Sequence, residues 1–455
     1  MQGQAWRRWA GHAVASAYEL VHDREYAAIR NAAALFDVSP LYKYLISGPD
    51  AARLLDRMVT RDVTRCRVGQ VLYTSWCDRH GKVIDDGTVS RLSERVYRLT
   101  SAEPNLRWLS LNGAGMEVQI EEVSAGVGAL ALQGPLSRAI LEQVSPADFS
   151  ALKYFRLVET TIRDTPVTIS RTGYTGDLGY EIWIPAADAV RVWDALLVAG
   201  TPYGITPAGI WALDMARIEA GLIMLDVDYH SSHHALIEAQ KSSPLELGLE
   251  WTVPAEKGPY NGRAALRAER LRGPAWRLVG LAVDWASLEL LYAAAGLPPQ
   301  LPATAWRVST PVYRGGTQIG YASSGCWSPL LKQYLALAHL RMKEDAFGGA
   351  SLVGRNDVLE AGQVLHHVPE AEEGAAPGVA LVPLHQRAPL LRRHGAGAGI
   401  GQQIDQHIIR GKQKKIIGRR PQELLTLLAG GPANRFDAFD PERFNDGSSH
   451  EVLPL

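Results

Sequence analysis

The 455-residue sequence contains only three cysteines, Cys66, Cys77 and Cys326, and no two of them have the Cys-x-x-Cys spacing. Isolated cysteines argue against a disulfide framework and against a zinc site built from thiolates. Both absences are typical of a protein in a reducing compartment, so the sequence predicts a cytoplasmic location.

The chain also lacks an excess of either charge, because 47 lysines and arginines stand against 48 aspartates and glutamates. This balance gives no general reason to expect nucleic acid or an anionic membrane as a partner. No run of about 18 apolar residues occurs, so no membrane-spanning helix is expected. Gly11 and His12 interrupt the apolar stretch near the start, which argues against an export signal.

The length and the local patterns predict more than one domain, since 455 residues are too many for a single hydrophobic core. Up to about residue 275, strand-like segments alternate with segments of helical spacing, such as the helix expected to begin at Asp50. After residue 275, strand-like segments separated by glycine-rich turns predict a smaller β domain. The alternation fades beyond about residue 368, and no internal repeat is evident.

The segment SRTGYTGDLGYEI, residues 170–182, combines three glycines with a lone glutamate in the strand that follows. The glycines permit a tight turn and a close approach of the backbone. Alternation along the strand places Glu181 and Trp183 on one face. A carboxylate beside an indole suits a flat, nitrogen-rich ring, because the acid can accept two parallel hydrogen bonds from an amino-pyrimidine edge. An edge strand with its polar face in water is the alternative that spacing leaves open.

The same segment resembles the SRTGYTGExGFEI signature of the glycine-cleavage T-protein (aminomethyltransferase) superfamily. Further segments resemble motifs of that family and occur in the same order, over about residues 20–345. Several matches in order are far more specific than one short motif. These further segments are LFDVSP (35–40), GKVIDDGTV (81–89), LQGP (132–135), ALDMARIEAGLIMLDVDY (212–229), SPLELGLEW (243–251) and IGYASSGCWSPLLKQYLALAHL (319–340).

The resemblance implies an α+β fold in which three domains form a ring-like T-protein (folate-binding) arrangement with a C-terminal β-barrel domain. It divides the chain into an N-terminal folate-binding region at 1–145, a second folate-binding region at 146–270 and the barrel at 271–368. Residues 369–455 form a divergent tail to which no fold is assigned. Only FDAFDPERF (436–444) is similar to the family's closing segment, so the tail is either a variant ending or the product of a shifted reading frame.

The resemblance also implies that tetrahydrofolate binds in the central channel. Carried over position by position, Glu181 would hold the amino-pyrimidine edge of the pterin, beside the indole of Trp183. Tyr174 would pack against the pterin, and Arg217 would reach the benzoyl-glutamate end. Asp86 falls at the family's catalytic aspartate, where a carboxylate stabilises the positive charge and the proton movement of one-carbon transfer.

Each of these residues also has a purely structural interpretation. Asp86 and its neighbour Asp85 could lie in a solvated hairpin. Asp214 and Arg217 are three residues apart and could form a surface ion pair. Tyr174 could do no more than brace the turn.

The sequence departs from the T-protein pattern at several points near the expected channel. Pro40 stands where the family has a histidine, and Gly87 stands where it has a leucine. The segment LTSAEPN (99–105) lacks an asparagine expected in the folate pocket.

Segment 226–249 looks closer to a branch that contains tetrahydrofolate-dependent O-demethylases of methoxylated aromatic acids. In that branch a tyrosine is the suspected proton donor to the phenolate leaving group, and Tyr229 matches it; packing at a domain junction is the alternative for this residue. His230, His233 and His234 lack the spacing of a zinc motif, so no metal site is expected. They should line the substrate mouth or face solvent.

The sequence therefore predicts a tetrahydrofolate-dependent transferase that moves a methyl or aminomethyl-derived carbon from a donor to the folate. The departures near Tyr229 favour a small-molecule methyl donor such as a methoxylated aromatic acid. The first alternative is the glycine-cleavage aminomethyltransferase proper, whose partner is a lipoyl carrier protein. The second is a non-catalytic folate-binding protein with an assembly or regulatory role.

Overall fold

In the residues that the structure describes, helices and strands alternate up to about residue 275, and strands dominate from there to residue 342. The computed structural model describes residues 6–314, 317–342 and 379–382. The strands in these residues are β1 (Trp6–Trp9), β2 (His12–Ala15), β3 (Ala33–Asp37), β4 (Tyr42–Ser47), β5 (Val71–Cys77), β6 (Val83–Ser93), β7 (Val96–Ser101), β8 (Gln119–Glu122), β9 (Val127–Gln133), β10 (Leu157–Ile162), β11 (Thr165–Ser170), β12 (Gly179–Pro185), β13 (Ile205–Pro207), β14 (Trp276–Val283), β15 (Thr310–Arg314), β16 (Thr317–Ser328), β17 (Gln333–Arg341) and β18 (Val379–Val382). The α-helices are α1 (His22–Asn31), α2 (Ala51–Met58), α3 (Leu106–Asn112), α4 (Ser137–Val144), α5 (Ala189–Gly200), α6 (Ile210–Glu219), α7 (Arg263–Arg272) and α8 (Trp285–Ala294).

The first large sheet is antiparallel and has the strand order β5-β6-β7-β4-β8. Its apolar face packs against α2, which begins after Asp50 as predicted and buries Leu54 and Leu55 completely. Tyr97 and Leu99 of β7 belong to this core. Because side chains alternate along a strand, the intervening residues lie on the opposite face. That face carries the side chains of Tyr73, Asp86, Thr88, Arg98 and Thr100.

The second large sheet has the order β10-β11-β12-β9-β3-β13 and is antiparallel except for the pair β13–β3. Helices α4 and α5 cover one face, where Tyr180, Ile182 and Ile184 of β12 are fully or almost fully buried. This burial confirms the predicted alternation in β12. Glu181 and Trp183 therefore lie on the other face.

The uncovered faces of these two sheets approach each other. The guanidinium carbon of Arg98, in the first sheet, lies 3.9 Å from the ring centre of Trp183, in the second. Helix α6 follows β13 and is buried over almost its whole length, between α1 and strand β16 of the third sheet. The two sheets and α6 thus surround a common interior, in which the predicted site residues lie.

The third sheet is antiparallel, with the order β15-β16-β17-β14-β18. The mixed helix and strand content agrees with the predicted α+β class. The barrel and the domain boundaries stay predictions, and strand β9 of the predicted first region pairs with β12 of the second. Apart from 379–382, the tail at 369–455 lies outside the described residues. Within the described ranges, no helix is both long and apolar enough to cross a membrane.

Candidate active site

The carboxylate of Asp86 receives hydrogen bonds from two tyrosines that come from distant parts of the chain. The hydroxyl of Tyr73, on the neighbouring strand β5, donates to Oδ2 at 2.8 Å. The hydroxyl of Tyr229 donates to Oδ1 and is part of a buried side chain that is only 3 % exposed. Tyr229 therefore lies at the predicted catalytic aspartate. Because the side chain is buried there, it also packs in the interior, which was the alternative interpretation of this residue.

Asp85 and Asp86 do not lie in a solvated hairpin. Asp85 is fully buried, and its Oδ2 accepts hydrogen bonds at 3.0 Å from the backbone N–H of Glu103 and from the amide of Asn105. Because alternate residues of a strand point to opposite faces, these bonds on Asp85 leave Asp86 directed to the interior between the sheets. The structural interpretation of the pair is thus wrong.

Burial and hydrogen bonding act in opposite directions on Asp86. Removal from water raises the pKa of its carboxyl group above the ordinary value, and the hydrogen bonds from Tyr229 and Tyr73 oppose this rise. Burial and the charge of Asp86 raise the pKa of both tyrosines well above 10. Both hydroxyls therefore keep their protons near neutral pH, which leaves them as donors to Asp86.

Glu181 and Trp183 lie on the opposite wall of the interior, as the strand alternation predicts. The hydroxyl of Thr172 donates to the Glu181 carboxylate, and the indole N–H of Trp183 is 3.4 Å from the Ser170 hydroxyl. Burial raises the pKa of Glu181, while the bond from Thr172 and the charge of Arg98 lower it. The glutamate is therefore a partly buried hydrogen-bond acceptor beside an aromatic ring.

Tyr174 connects the glycine-rich turn to the segment that leads to Tyr229. Its hydroxyl donates to the backbone carbonyl of Ile223. Its ring is partly buried against the same apolar cluster that contains Tyr229 and Trp183. Tyr174 thus braces the turn, and its packing against a pterin stays a prediction.

Arg217 is fully buried, so the surface ion pair considered for it is wrong. Its guanidinium lies 3.3 Å from Asp214 and also forms an ion pair with Asp228. Burial alone would lower the pKa of Arg217, but the two aspartates outweigh this effect and raise it. Among the residues that the structure describes, the buried Nη2 atom of Arg217 has no hydrogen-bond partner. Its contact with the benzoyl-glutamate end of a folate stays a prediction.

Three residues of this region were not identified from the sequence. Tyr73 holds Asp86, and Trp251 stacks on Tyr73 with 5.7 Å between ring centres while remaining 56 % exposed. Arg98 lies over Trp183. The alternation of VYRLTS could have placed Arg98 on the face opposite Tyr97 and Leu99, but no sequence pattern indicates which sheet lies across from that face.

The three clustered histidines make separate contacts at the surface. His234 is 3.0 Å from Glu103, His230 is 3.7 Å from Asp226, and the ring of His233 lies edge-on to Trp108. No group of three or more potential metal ligands occurs in the part of the chain that the structure describes.

Pro40, which stands at the position of the family's histidine, lines a cavity of about 530 Å³. The β1–β2 hairpin contributes Trp6 and Trp9 to the same cavity. Next to it, the buried ammonium of Lys43 donates to the backbone carbonyls of Ser39 at 2.7 Å and Leu41 at 2.8 Å. Lys43 therefore holds the two residues that flank Pro40 in place.

Known proteins resemble this chain in sequence and in fold. The family described as the GCVT N-terminal domain matches residues 2–257. An aminomethyltransferase of Halothermothrix orenii is 34 % identical over 340 residues, covering 74 % of this chain and 88 % of that protein. One from Moorella thermoacetica is 36 % identical over 344 residues, covering 75 % and 86 %. The crystal structure of the glycine cleavage system aminomethyltransferase T from Bartonella henselae matches with a TM-score of 0.63 and 25 % identity, covering 74 % of this chain and 86 % of that one. The chain therefore belongs to the glycine-cleavage T-protein (aminomethyltransferase) superfamily.

Proposed function

We infer that this protein is a tetrahydrofolate-dependent aminomethyltransferase, the first alternative that the sequence left open. The observation that carries the proposal is the partly buried carboxylate of Asp86, held by the hydroxyls of Tyr73 and Tyr229 and directed into the interior that Glu181 also lines. The names of the two relatives above support the aminomethyl donor over a methyl donor.

The donor set of the interior fits a reduced folate. Glu181 is a partly buried acceptor beside the ring of Trp183, and two guanidinium nitrogens of Arg98 have no hydrogen-bond partner in the described part of the chain. An amino-pyrimidine ring offers donors to the first and an acceptor to the second. Glu181, Trp183 and Arg98 would hold the pterin, and Arg217 would lie toward the benzoyl-glutamate end. Bound tetrahydrofolate would supply nitrogen atoms N5 and N10 as acceptors of the one-carbon unit.

Asp86 has the chemical role in this proposal. The transfer of an aminomethyl carbon develops positive charge and moves a proton, and a carboxylate removed from water stabilises both changes more strongly than a solvated one. The hydroxyls of Tyr73 and Tyr229 fix the orientation of this carboxylate. Tyr229 then acts as a positioning residue for Asp86.

Demethylation of an aryl methyl ether is less compatible with this geometry. That reaction needs an acid able to protonate a phenolate, and a matched acid has a pKa near that of the phenol, about 10. Burial and Asp86 raise the pKa of Tyr229 well above this value. Its hydroxyl proton is also directed at Asp86.

The test offers the purified full chain tetrahydrofolate with an aminomethylated lipoyl carrier protein in one reaction and with vanillate-like methoxy acids in another. The proposal expects methylenetetrahydrofolate and ammonia in the first reaction and no methyltetrahydrofolate in the second. Product only in the second reaction would establish demethylation instead. Folate binding without product in either reaction would favour the non-catalytic alternative. The lipoyl carrier partner and the cytoplasmic location are parts of the same proposal.

A further inference from the structure

Arg98 is a buried arginine whose hydrogen-bonding capacity is largely unused. It lies on β7 and is 6 % exposed, and its Nε and Nη2 atoms have no hydrogen-bond partner in the described structure. An unpartnered buried guanidinium is costly, because its charge and its N–H groups lose water without replacement. Such a group is therefore expected where a ligand supplies the missing acceptor.

The orientation of Arg98 is defined by Trp183. The guanidinium carbon is 3.9 Å from the centre of the indole ring, which is a close cation–π contact. Because a guanidinium is planar, stacking fixes the plane in which its N–H groups donate. The free donors of Arg98 are thus held beside the same ring that flanks Glu181.

Glu181 and Arg98 interact electrostatically but do not satisfy each other. Glu181 opposes the fall in the pKa of Arg98 that burial causes, so the two charges act on each other. The hydrogen bond that the carboxylate of Glu181 accepts in the described residues comes from Thr172, not from Arg98. The interior therefore presents an acceptor group on the second sheet and a separate set of donors on the first sheet, both beside the Trp183 ring.

This combination matches one edge of a 4-oxopterin. That edge carries two adjacent donors, the 2-amino group and N3–H, followed by an acceptor, the 4-oxo oxygen. A carboxylate can accept from both donors at once, which leaves the oxygen in need of a third partner. We propose that Arg98 donates to the 4-oxo oxygen of the pterin and selects 4-oxopterins over 4-aminopterins. This inference rests on the proposed folate-dependent function and extends it to the specificity of the same site.

A hydrogen-bonding role for Arg98 can be distinguished from a role in which Arg98 only packs on Trp183. A packing role affects every ligand of the site equally. A donor to the 4-oxo oxygen discriminates, because a 4-amino group presents N–H donors to a guanidinium that itself has only donors.

The test measures the affinities of the full chain for tetrahydrofolate and for its 4-amino analogue, tetrahydroaminopterin, by calorimetry. The unmodified protein should bind tetrahydrofolate at least tenfold more tightly than the analogue. Arg98→Met should weaken tetrahydrofolate binding about tenfold or more and leave the analogue unchanged or tighter, in keeping with the loss of a charge-assisted hydrogen bond. Arg91→Met is the matched control, since Arg91 lies over Tyr97 at 5.5 Å on the neighbouring strand β6 and should leave the affinity ratio unchanged.

The melting temperature of each variant shows whether it folds. If Arg98→Met does not fold, Arg98→Lys keeps a charge but loses the planar donor group, and it should reduce the preference for tetrahydrofolate. An affinity ratio that is the same in the unmodified protein and in a folded Arg98 variant would overturn the inference. If the unmodified protein binds neither pterin, the proposed function fails and this inference fails with it. If binding and selectivity are as expected but no transfer occurs, the inference stands and only the catalytic proposal fails.

Discussion

The hydroxyl of Tyr229 donates a hydrogen bond to the carboxylate of Asp86, although 143 positions separate the two residues in the sequence. The bond joins strand β6 of the first sheet to the segment that follows α6. A carboxylate oriented in this way keeps its geometry when water is removed, which is what charge stabilisation in a closed site requires.

Asp86→Asn should reduce turnover about 100-fold or more, because the amide keeps the shape of the side chain but loses its charge and basicity. Tetrahydrofolate affinity should change by only a few fold. The measurement is steady-state kinetics with the aminomethylated carrier, together with folate binding by calorimetry. Unchanged turnover would show that Asp86 is not the catalytic group.

Tyr229→Phe should move the acidic limb of the pH–rate profile to higher pH. Burial raises the pKa of Asp86, and the bond from Tyr229 opposes that rise, so its removal raises the pKa further. Turnover that depends on ionised Asp86 is then lost at a higher pH as the solution is acidified. Tyr292→Phe is the control, because the Tyr292 hydroxyl donates to the Gln300 carbonyl at 2.6 Å, away from the site. A limb that stays in place in Tyr229→Phe would contradict the positioning role.

Glu181→Ala should weaken tetrahydrofolate binding by about 1–3 kcal/mol, because the pterin donors lose their acceptor in a buried site. Glu159→Ala, at an exposed position of the same sheet, should leave binding unchanged. Calorimetric titration of both variants decides the matter. If Glu181→Ala and Glu159→Ala bind tetrahydrofolate equally tightly, the pterin does not contact Glu181.

Asp228→Asn should lower the free energy of unfolding by about 3–5 kcal/mol, because it removes one partner of a buried ion pair. Asp228 bonds not only Arg217 but also the hydroxyls of Ser323 at 2.6 Å and Ser324 at 2.7 Å. Asp188→Asn breaks an exposed ion pair with Arg191 and should cost at most about 1 kcal/mol. Urea denaturation of the two variants measures the contrast, and similar losses would contradict it.

Lys43 should contribute a rise in the unfolding free energy as the pH increases above about pH 8. Burial lowers the pKa of Lys43 from 10.5 to about 8. Between these values the unfolded chain binds more protons than the folded one, so raising the pH favours the folded state. Lys43→Met should reduce the slope between pH 8 and 10, whereas replacement of the exposed Lys153 should not. An unchanged slope in Lys43→Met would show that the buried ammonium is not destabilising.

Local patterns predicted much of the framework. The alternation in β12 placed Tyr180 and Ile182 in the core and Glu181 toward the interior, because side chains of a strand alternate whatever surrounds them. The helix after Asp50 followed from the spacing of its apolar residues. The motifs that resemble T-proteins identified the family, because each is a short, continuous segment.

The interior itself depended on pairs of residues that are far apart in sequence. Alternation along the strands shows that Arg98 and Trp183 each lie on the face of their sheet that is opposite its helix-covered core. Only the packing of the two sheets places Arg98 over Trp183. Spacing on α6 paired Arg217 with Asp214 and left a surface ion pair open as the alternative, whereas the packing of α6 against α1 and strand β16 buries both residues. The sequence by itself determined the elements, their faces and the family, since these depend on local chemistry. Tertiary structure alone decided that Tyr229 and Tyr73 hold Asp86 and that Arg98 lies beside Glu181, because these contacts exist only once separate sheets have packed together.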